Sequence, residues 1–63
     1  MSKDTIDMIE IEIDKCERAL LNLDIELLNE HPSYARLKKL ADEVILHGKR
    51  VRQAIRRDKK HFT

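Results

Sequence analysis

The sequence has few of the residues that interrupt helices or crosslink small domains. Its 63 residues include one glycine, one proline, one cysteine and no tryptophan, and the aromatic side chains are one tyrosine and one phenylalanine. A single cysteine excludes an internal disulfide and indicates a reducing compartment, so we expect a cytoplasmic protein. No apolar run approaches the roughly 18 residues of a membrane span, and the N-terminus lacks the apolar segment of a signal peptide.

The residues that are abundant favour long amphipathic helices. Charged residues make up 40% of the chain, and most of the apolar ones are Leu and Ile. The formal net charge of +1 conceals two oppositely charged halves, since residues 1–31 carry −6 and residues 32–63 carry +7. A chain this short buries a marginal core, so regular helix packing or association must supplement it.

Apolar residues recur at alternating intervals of three and four along the acidic half. They are Ile6, Ile9, Ile13, Cys16, Leu20, Leu23 and Leu27. This spacing predicts a helix over about residues 5–28 with one apolar face, capped at its N-terminus by Asp4 or Thr5. The segment 29–32, Asn-Glu-His-Pro, ends that helix, because Asn suits a C-terminal cap and the residue before proline leaves the helical region.

The basic half predicts a second helix over about residues 33–57, with Pro32 in its first turn or Ser33 as its N-cap. Its apolar face is broad and consists of Leu37, Val44 and Val51, flanked by Leu40, His47 and Ala54 on one side and by Tyr34, Ala41, Gly48 and Ile55 on the other. The short connection requires an antiparallel hairpin. We therefore predict an all-α, single-domain, two-helix hairpin over residues 1–63, with a frayed basic tail at 58–63.

Pairing the helices about a turn near residue 31 places Cys16 beside Val44 and Ile13 opposite Gly48, and sets the acidic half against the basic half. In this register the face from Ile6 to Leu27 is buried against the second helix. Leu20→Ala is then expected to unfold the protein, by about 2–5 kcal/mol.

A second apolar stripe remains outside the hairpin, on the back of the first helix, with two further apolar residues on the second. The residues are Ile11, Leu21, Ile25, Leu28, Ile45 and Leu46. We predict that they bind a partner: a second copy of the chain, giving a homodimeric four-helix bundle, or a helical target protein. Ile25→Glu is expected to abolish this assembly and leave the helices intact.

Few residues are candidates for chemistry. Cys16 lies on the apolar face, where a thiol acts as a small hydrophobe. We expect His47 to lie near Glu12 in the predicted register and to form a hydrogen bond with it. Gly48 is expected where the helices approach closely, and Tyr34 is expected to cap the closed end of the core. We expect no catalytic residue, no cofactor and no metal site.

A basic run in the second helix supports a different hypothesis, nucleic-acid binding. Its outward residues are Lys49, Arg52, Arg56, Lys59 and Lys60. Clustered cations bind phosphates, although no aromatic side chains are interleaved for base stacking.

The hairpin plan resembles three families. Its architecture is similar to that of plasmid copy-control RNA-binding proteins, which dimerise into four-helix bundles. Residues 13–45 align without gaps to the sporulation aspartyl-phosphatase hairpins, which implies a phosphatase acting on a response regulator through Asp42; their Ser-Gln-Glu-Leu-Asp signature corresponds to residues 38–42, of which Asp42 matches. The spacing from Ala19 to Leu37 is similar to that of type III secretion needle co-chaperones, hairpins that bind a helical partner.

These observations together predict a non-enzymatic helical interaction module, an adaptor, regulator or co-chaperone acting as an oligomer. A nucleic-acid-binding regulator and an accessory aspartyl phosphatase are the alternatives.

Overall fold

The computed structural model describes the backbone of residues 1–62 and the side chains of residues 1–59. This part of the chain forms two helices, α1 (Lys3–Leu27) and α2 (Tyr34–Phe62), packed against each other, with no strand among the described residues. The predicted all-helical hairpin is confirmed. Its Cα atoms extend 51 × 16 × 9 Å, the shape of a single layer of two helices.

Helix α1 begins at Lys3, two residues earlier than the sequence suggests. Ser2 is its N-cap, because the Ser2 Oγ accepts a hydrogen bond of 3.2 Å from the backbone N–H of Thr5. The predicted cap at Asp4 or Thr5 is therefore wrong. At the other end Leu28 is the C-cap, and the N–H of Asn29 donates to the carbonyl of Glu26 at 3.1 Å.

Helix α2 begins after Ser33, as predicted. The Ser33 Oγ accepts from the N–H of Arg36 at 3.3 Å, and its carbonyl accepts from the N–H of Leu37 at 3.0 Å. The helix continues to Phe62, beyond its predicted end at Arg57. Within the predicted tail 58–63 the backbone is therefore helical through Phe62, and Thr63 lies outside the described residues.

The antiparallel register agrees with the prediction. The Cys16 thiol donates to the carbonyl oxygen of Val44 at 3.8 Å, and Glu12 Oε2 is 2.6 Å from His47 Nδ1. Nearer the turn, Arg36 Nε is 3.2 Å from Glu26 Oε1. These contacts occur only if the helices are antiparallel and aligned in the predicted register.

The rotation of α1 about its axis differs from the prediction. The residues of α1 that α2 covers, which we call the seam, are Thr5, Ile9, Glu12, Cys16, Ala19, Leu23 and Glu26. The predicted face shares Ile9, Cys16 and Leu23 with this seam, but its other four members, Ile6, Ile13, Leu20 and Leu27, are exposed. Ala19 is 3% exposed and the next residue, Leu20, is 48% exposed. Leu20 is therefore not a core position of the hairpin.

Helix α2 packs against α1 through part of its predicted face. Leu40 and Ala54 are buried and His47 is half-buried beside them. Tyr34 is 84% exposed, so it does not cap the closed end of the core. A Cβ built on Gly48 meets nothing within 4 Å, so the expected close approach of the helices at this glycine is also wrong.

Ala19→Leu should destabilise the hairpin, because the added atoms have to enter a site closed by α2. Overpacking of this kind costs about 1–3 kcal/mol, measured as a fall in the urea midpoint of the circular dichroism signal. Ala35→Leu is the matched control, since Ala35 is exposed on α2. Equal stability of the two variants would place Ala19 outside the core.

Candidate interaction surface

A polar cluster occupies the middle of the interface between the helices. Glu12 is 9% exposed, and its carboxylate accepts a hydrogen bond from His47 Nδ1 while Arg50 lies 3.8 Å away. The predicted hydrogen bond between His47 and Glu12 is confirmed. It lowers the pKa of the Glu12 carboxyl below its ordinary 4.5, and the nearby positive charges of His47, Lys15 and Arg50 lower it further against the opposing effect of burial.

A second buried carboxylate joins the open ends of the helices. Asp58 Oδ1 accepts hydrogen bonds from the Ser2 N–H at 3.1 Å and from the Thr5 hydroxyl at 3.0 Å. The amino group of Met1 lies 3.9 Å from Asp58 Oδ2. The hydrogen bond from the Ser2 backbone is the main reason that the pKa of Asp58 lies below its ordinary 3.8.

The closed end has a third buried carboxylate, on Glu26. It pairs with Arg36 of α2 and accepts a short hydrogen bond from the side-chain amide of Asn29. Every buried polar side-chain atom among the described residues has a hydrogen-bond partner. The polar members of the seam are therefore fully satisfied, as buried groups must be for the hairpin to be stable.

Cys16 makes a structural contact in the interface between the helices. It is half-buried and hydrogen-bonded to the Val44 carbonyl, and within the described residues no hydrogen bond joins it to His47. The described side chains include no group of three His, Cys, Asp or Glu residues placed to hold a metal ion. The polar contacts align the two helices.

One broad side of the hairpin is apolar from end to end. We call it the ladder face, and it carries one residue per heptad from each helix: Ile6, Ile13, Leu20 and Leu27 from α1, and Tyr34, Ala41, Gly48 and Ile55 from α2. In an antiparallel pair these two rows lie on the same side of the seam. Between them, half-buried apolar residues form the floor: Ile9, Cys16, Leu23, Leu37, Val44 and Val51.

The opposite broad side is mostly polar. The residues in the equivalent heptad positions are Met8, Lys15 and Asn22 of α1 and Arg36, Glu43, Arg50 and Arg57 of α2. Two of the arginines, Arg36 and Arg50, reach from this side to the seam carboxylates. The two sides of the layer are thus chemically different, and only the ladder face is continuously apolar.

The six residues predicted to bind a partner are all exposed. Ile11, Leu21, Ile25 and Leu28, which we call the back stripe, lie on the outer side of α1, away from α2. Ile45 and Leu46 lie on α2, and Leu46 borders a shallow depression lined by α2 residues only, including Asp42. The structure does not bring the two groups together into one patch.

The predicted basic surface is partly committed to the fold. Arg50, which lies within the basic run, pairs with Glu12 across the interface, whereas Lys49, Arg52 and Arg56 are exposed on the outer part of α2. Lys59 is exposed, and the side chain of Lys60 lies outside the described residues. Asp42, the residue that matches the phosphatase signature, is exposed beside Lys38 and Lys39.

Sequence reasoning found the pair of Glu12 and His47 but missed the other polar residues of the seam. Thr5, Glu12 and Glu26 recur at multiples of seven, and their partners Asp58, His47 and Arg36 occur at matching levels on α2. The heptad repeat of Thr5, Glu12 and Glu26 on α1 is visible in the sequence, whereas their partners on α2 follow no heptad spacing. The larger apolar residues one position further along the chain concealed it.

The chain matches no known protein family, and no curated protein or solved structure is significantly similar to it. Within the described residues, neither helix contains a stretch long and apolar enough to cross a membrane.

Acidification should destabilise the hairpin through Glu12 and Asp58. Because folding lowers both pKa values, their contribution to stability is complete above the ordinary values of 4.5 and 3.8 and is lost as the pH falls through the lower folded values. We expect the thermal midpoint to fall over this range. Glu12→Gln and Asp58→Asn should each lower the midpoint at pH 7 and flatten its dependence on pH.

Glu30→Gln is the control for this titration, because Glu30 is exposed in the turn and has no ion pair within the described part of the chain. An acid transition of the same size in Glu12→Gln and in Glu30→Gln would contradict a stabilising role for the buried carboxylate.

Proposed function

We propose that this chain is a small helical protein–protein interaction module, an adaptor, regulator or co-chaperone, that acts as an oligomer and has no enzymatic activity of its own. The observation that carries the proposal is the contrast between what the hairpin buries and what it exposes. Its buried apolar residues are Ala19, Leu40 and Ala54, while the aliphatic residues of the ladder face and of the back stripe remain in contact with water.

The exposed side chains are larger than most of the buried ones. Burying an Ile or Leu side chain contributes about 1.5–3 kcal/mol, whereas burying an alanine contributes much less. In the hairpin alone, Ile13, Leu20 and the other exposed aliphatic residues gain only part of this burial free energy, because they remain partly in water. Folded monomers seldom expose continuous apolar surface of this extent, and such patches mark sites of association.

Two surfaces are available for partners, and they have different shapes. The ladder face is a broad apolar surface formed by both helices, and the back stripe is a narrow row on one helix. A narrow apolar row suits helix-in-groove recognition by a target protein. The lone cysteine, half-buried and unpaired, is compatible with a reducing compartment such as the cytoplasm.

Sedimentation velocity tests the proposal. From about 1 to about 100 micromolar the mass should rise from one chain to two or more, and helicity should rise with it, because association buries the exposed aliphatic residues. A fully helical species with the mass of one chain throughout this range, and no binding of a hydrophobic dye, would contradict the proposal.

A second candidate function, nucleic-acid binding, is favoured by the exposed cations Lys49, Arg52 and Arg56. Replacing all three with Gln should then weaken binding to duplex RNA or DNA and reduce its salt dependence. Lys3, Lys38 and Lys39 are exposed elsewhere on the chain, and replacing these three with Gln is the charge-matched control. No gel shift at low salt with the wild-type chain would exclude this function.

A further inference from the structure

The hairpin is one layer thick. Its Cα atoms extend 9 Å in the thinnest direction, so neither broad side is covered by another element of the described chain. Stable domains are built from at least two packed layers around a common core. The polar side is suited to water, and the ladder face needs a second layer.

We propose that a second copy of this chain covers the ladder face, in a dimer whose two-fold axis runs parallel to the helices. The inference rests on the proposed interaction function and specifies the surface, the symmetry and the residues that meet. It differs from the assembly that the sequence suggests, which used the back stripe.

The shape of the ladder face is complementary to itself. The α1 row has large residues throughout, and its centre is Ile13 and Leu20; the α2 row has its smallest residues, Gly48 and Ala41, at the same two levels. A two-fold axis parallel to the helices lays α1 of one copy over α2 of the other without shifting these levels. Ile13 then meets Gly48 of the second copy, and Leu20 meets Ala41.

Gly48 is explained by this arrangement and not by the hairpin. A Cβ at Gly48 would meet nothing within 4 Å in the hairpin, and glycine within a helix costs about 1 kcal/mol relative to alanine. In the dimer the absent side chain leaves room for Ile13 of the second copy. The large and small residues therefore interdigitate across the new interface, as they do in well-packed cores.

The charges along the two edges of the ladder face choose between the two ways of stacking it. The α1 edge carries Glu10, Glu17 and Asp24, and the α2 edge carries Lys38 and Arg52. An axis parallel to the helices places Glu10 near Arg52 of the second copy and Asp24 near Lys38. An axis perpendicular to the helices would stack α1 on α1 and bring the acidic edges together, which is unfavourable.

The area of the ladder face is sufficient for a stable dimer. The layer extends 51 × 16 Å in its plane. The outline of the whole layer, about 800 Å² per copy, is of the same order as the accessible surface that each partner buries in a specific interface of standard size. A two-fold interface also requires that each surface contain both complementary parts, and the ladder face contains both the large row and the small row.

Size substitutions test the contact between Ile13 and Gly48. Gly48→Leu should keep or raise the helicity of the hairpin and weaken its dimerisation by about tenfold or more. The reason is that the leucine side chain at position 48 would clash with Ile13 of the second copy. Combining it with Ile13→Ala should restore part of the loss, since the large and small positions are exchanged. Ile25→Glu, on the back stripe, should leave the dimerisation constant unchanged.

Charge reversal tests the orientation. Glu10→Arg and Arg52→Glu should each weaken dimerisation, and the double variant should recover it, because the two residues meet only between copies. They stand on opposite edges of one hairpin and share no ion pair within the described residues. Sedimentation equilibrium and a double-mutant cycle give the coupling between them.

Three outcomes would overturn the inference and leave the interaction function standing. They are dimerisation unaffected or strengthened by Gly48→Leu, dimerisation lost with Ile25→Glu but not with Gly48→Leu, and no recovery in the charge-reversed double variant. A wild-type chain that stays monomeric and binds no hydrophobic dye would instead contradict the proposed function itself.

Discussion

The hydrogen bond between Glu12 and His47 sets the rotation of α1 about its axis, and that rotation decides which side chains the hairpin leaves in water. Turning α1 by about 50° would bury the row of Ile13 and Leu20 against α2. The same turn would separate Glu12 from its partners and leave a carboxylate unpaired at the edge of the interface. Thr5 and Glu26 lie on the same line of the helix, so their contacts with α2 would be lost together with that of Glu12.

This constraint gives a hairpin with an unusual distribution of residues. Polar and small side chains lie between the helices beside Leu40 and the half-buried aliphatic residues, and further aliphatic surface lies exposed on one broad side of the layer. Buried polar groups contribute little net stability but penalise every alignment in which they lose their partners. The seam therefore aligns the helices, and exposed aliphatic side chains such as those of Ile13 and Leu20 remain available for contacts outside the hairpin.

The sequence was sufficient to predict the helices, the turn and the register. Asn29 to Pro32 marks one clear break, and complementary positions such as Cys16 and Val44 follow from the length of the connection. The rotation of α1 was not predictable from apolar spacing, because Ile9, Cys16 and Leu23 belong both to the seam and to the predicted face. Residues recur at alternating intervals of three and four in both sets. Hydrophobicity favoured burial of the predicted face, which contains Ile13 and Leu20. Pairing between polar groups on different helices favoured burial of the seam. That pairing depends on contacts distant in sequence, which a pattern along one helix does not contain.

Ile9, Cys16 and Leu23 belong both to the seam and to the ladder face, which limits how folding and association can be separated experimentally. A substitution at any of these three positions affects the space between the helices and the floor of the ladder face together, so its effects on the two properties are confounded. Ala19 and Leu20 differ in this respect although they are neighbours in the chain, because one is buried in the hairpin and the other is on its surface. Substitutions at Ala19 therefore probe the stability of the hairpin, and substitutions at the adjacent Leu20 probe contacts made at its surface.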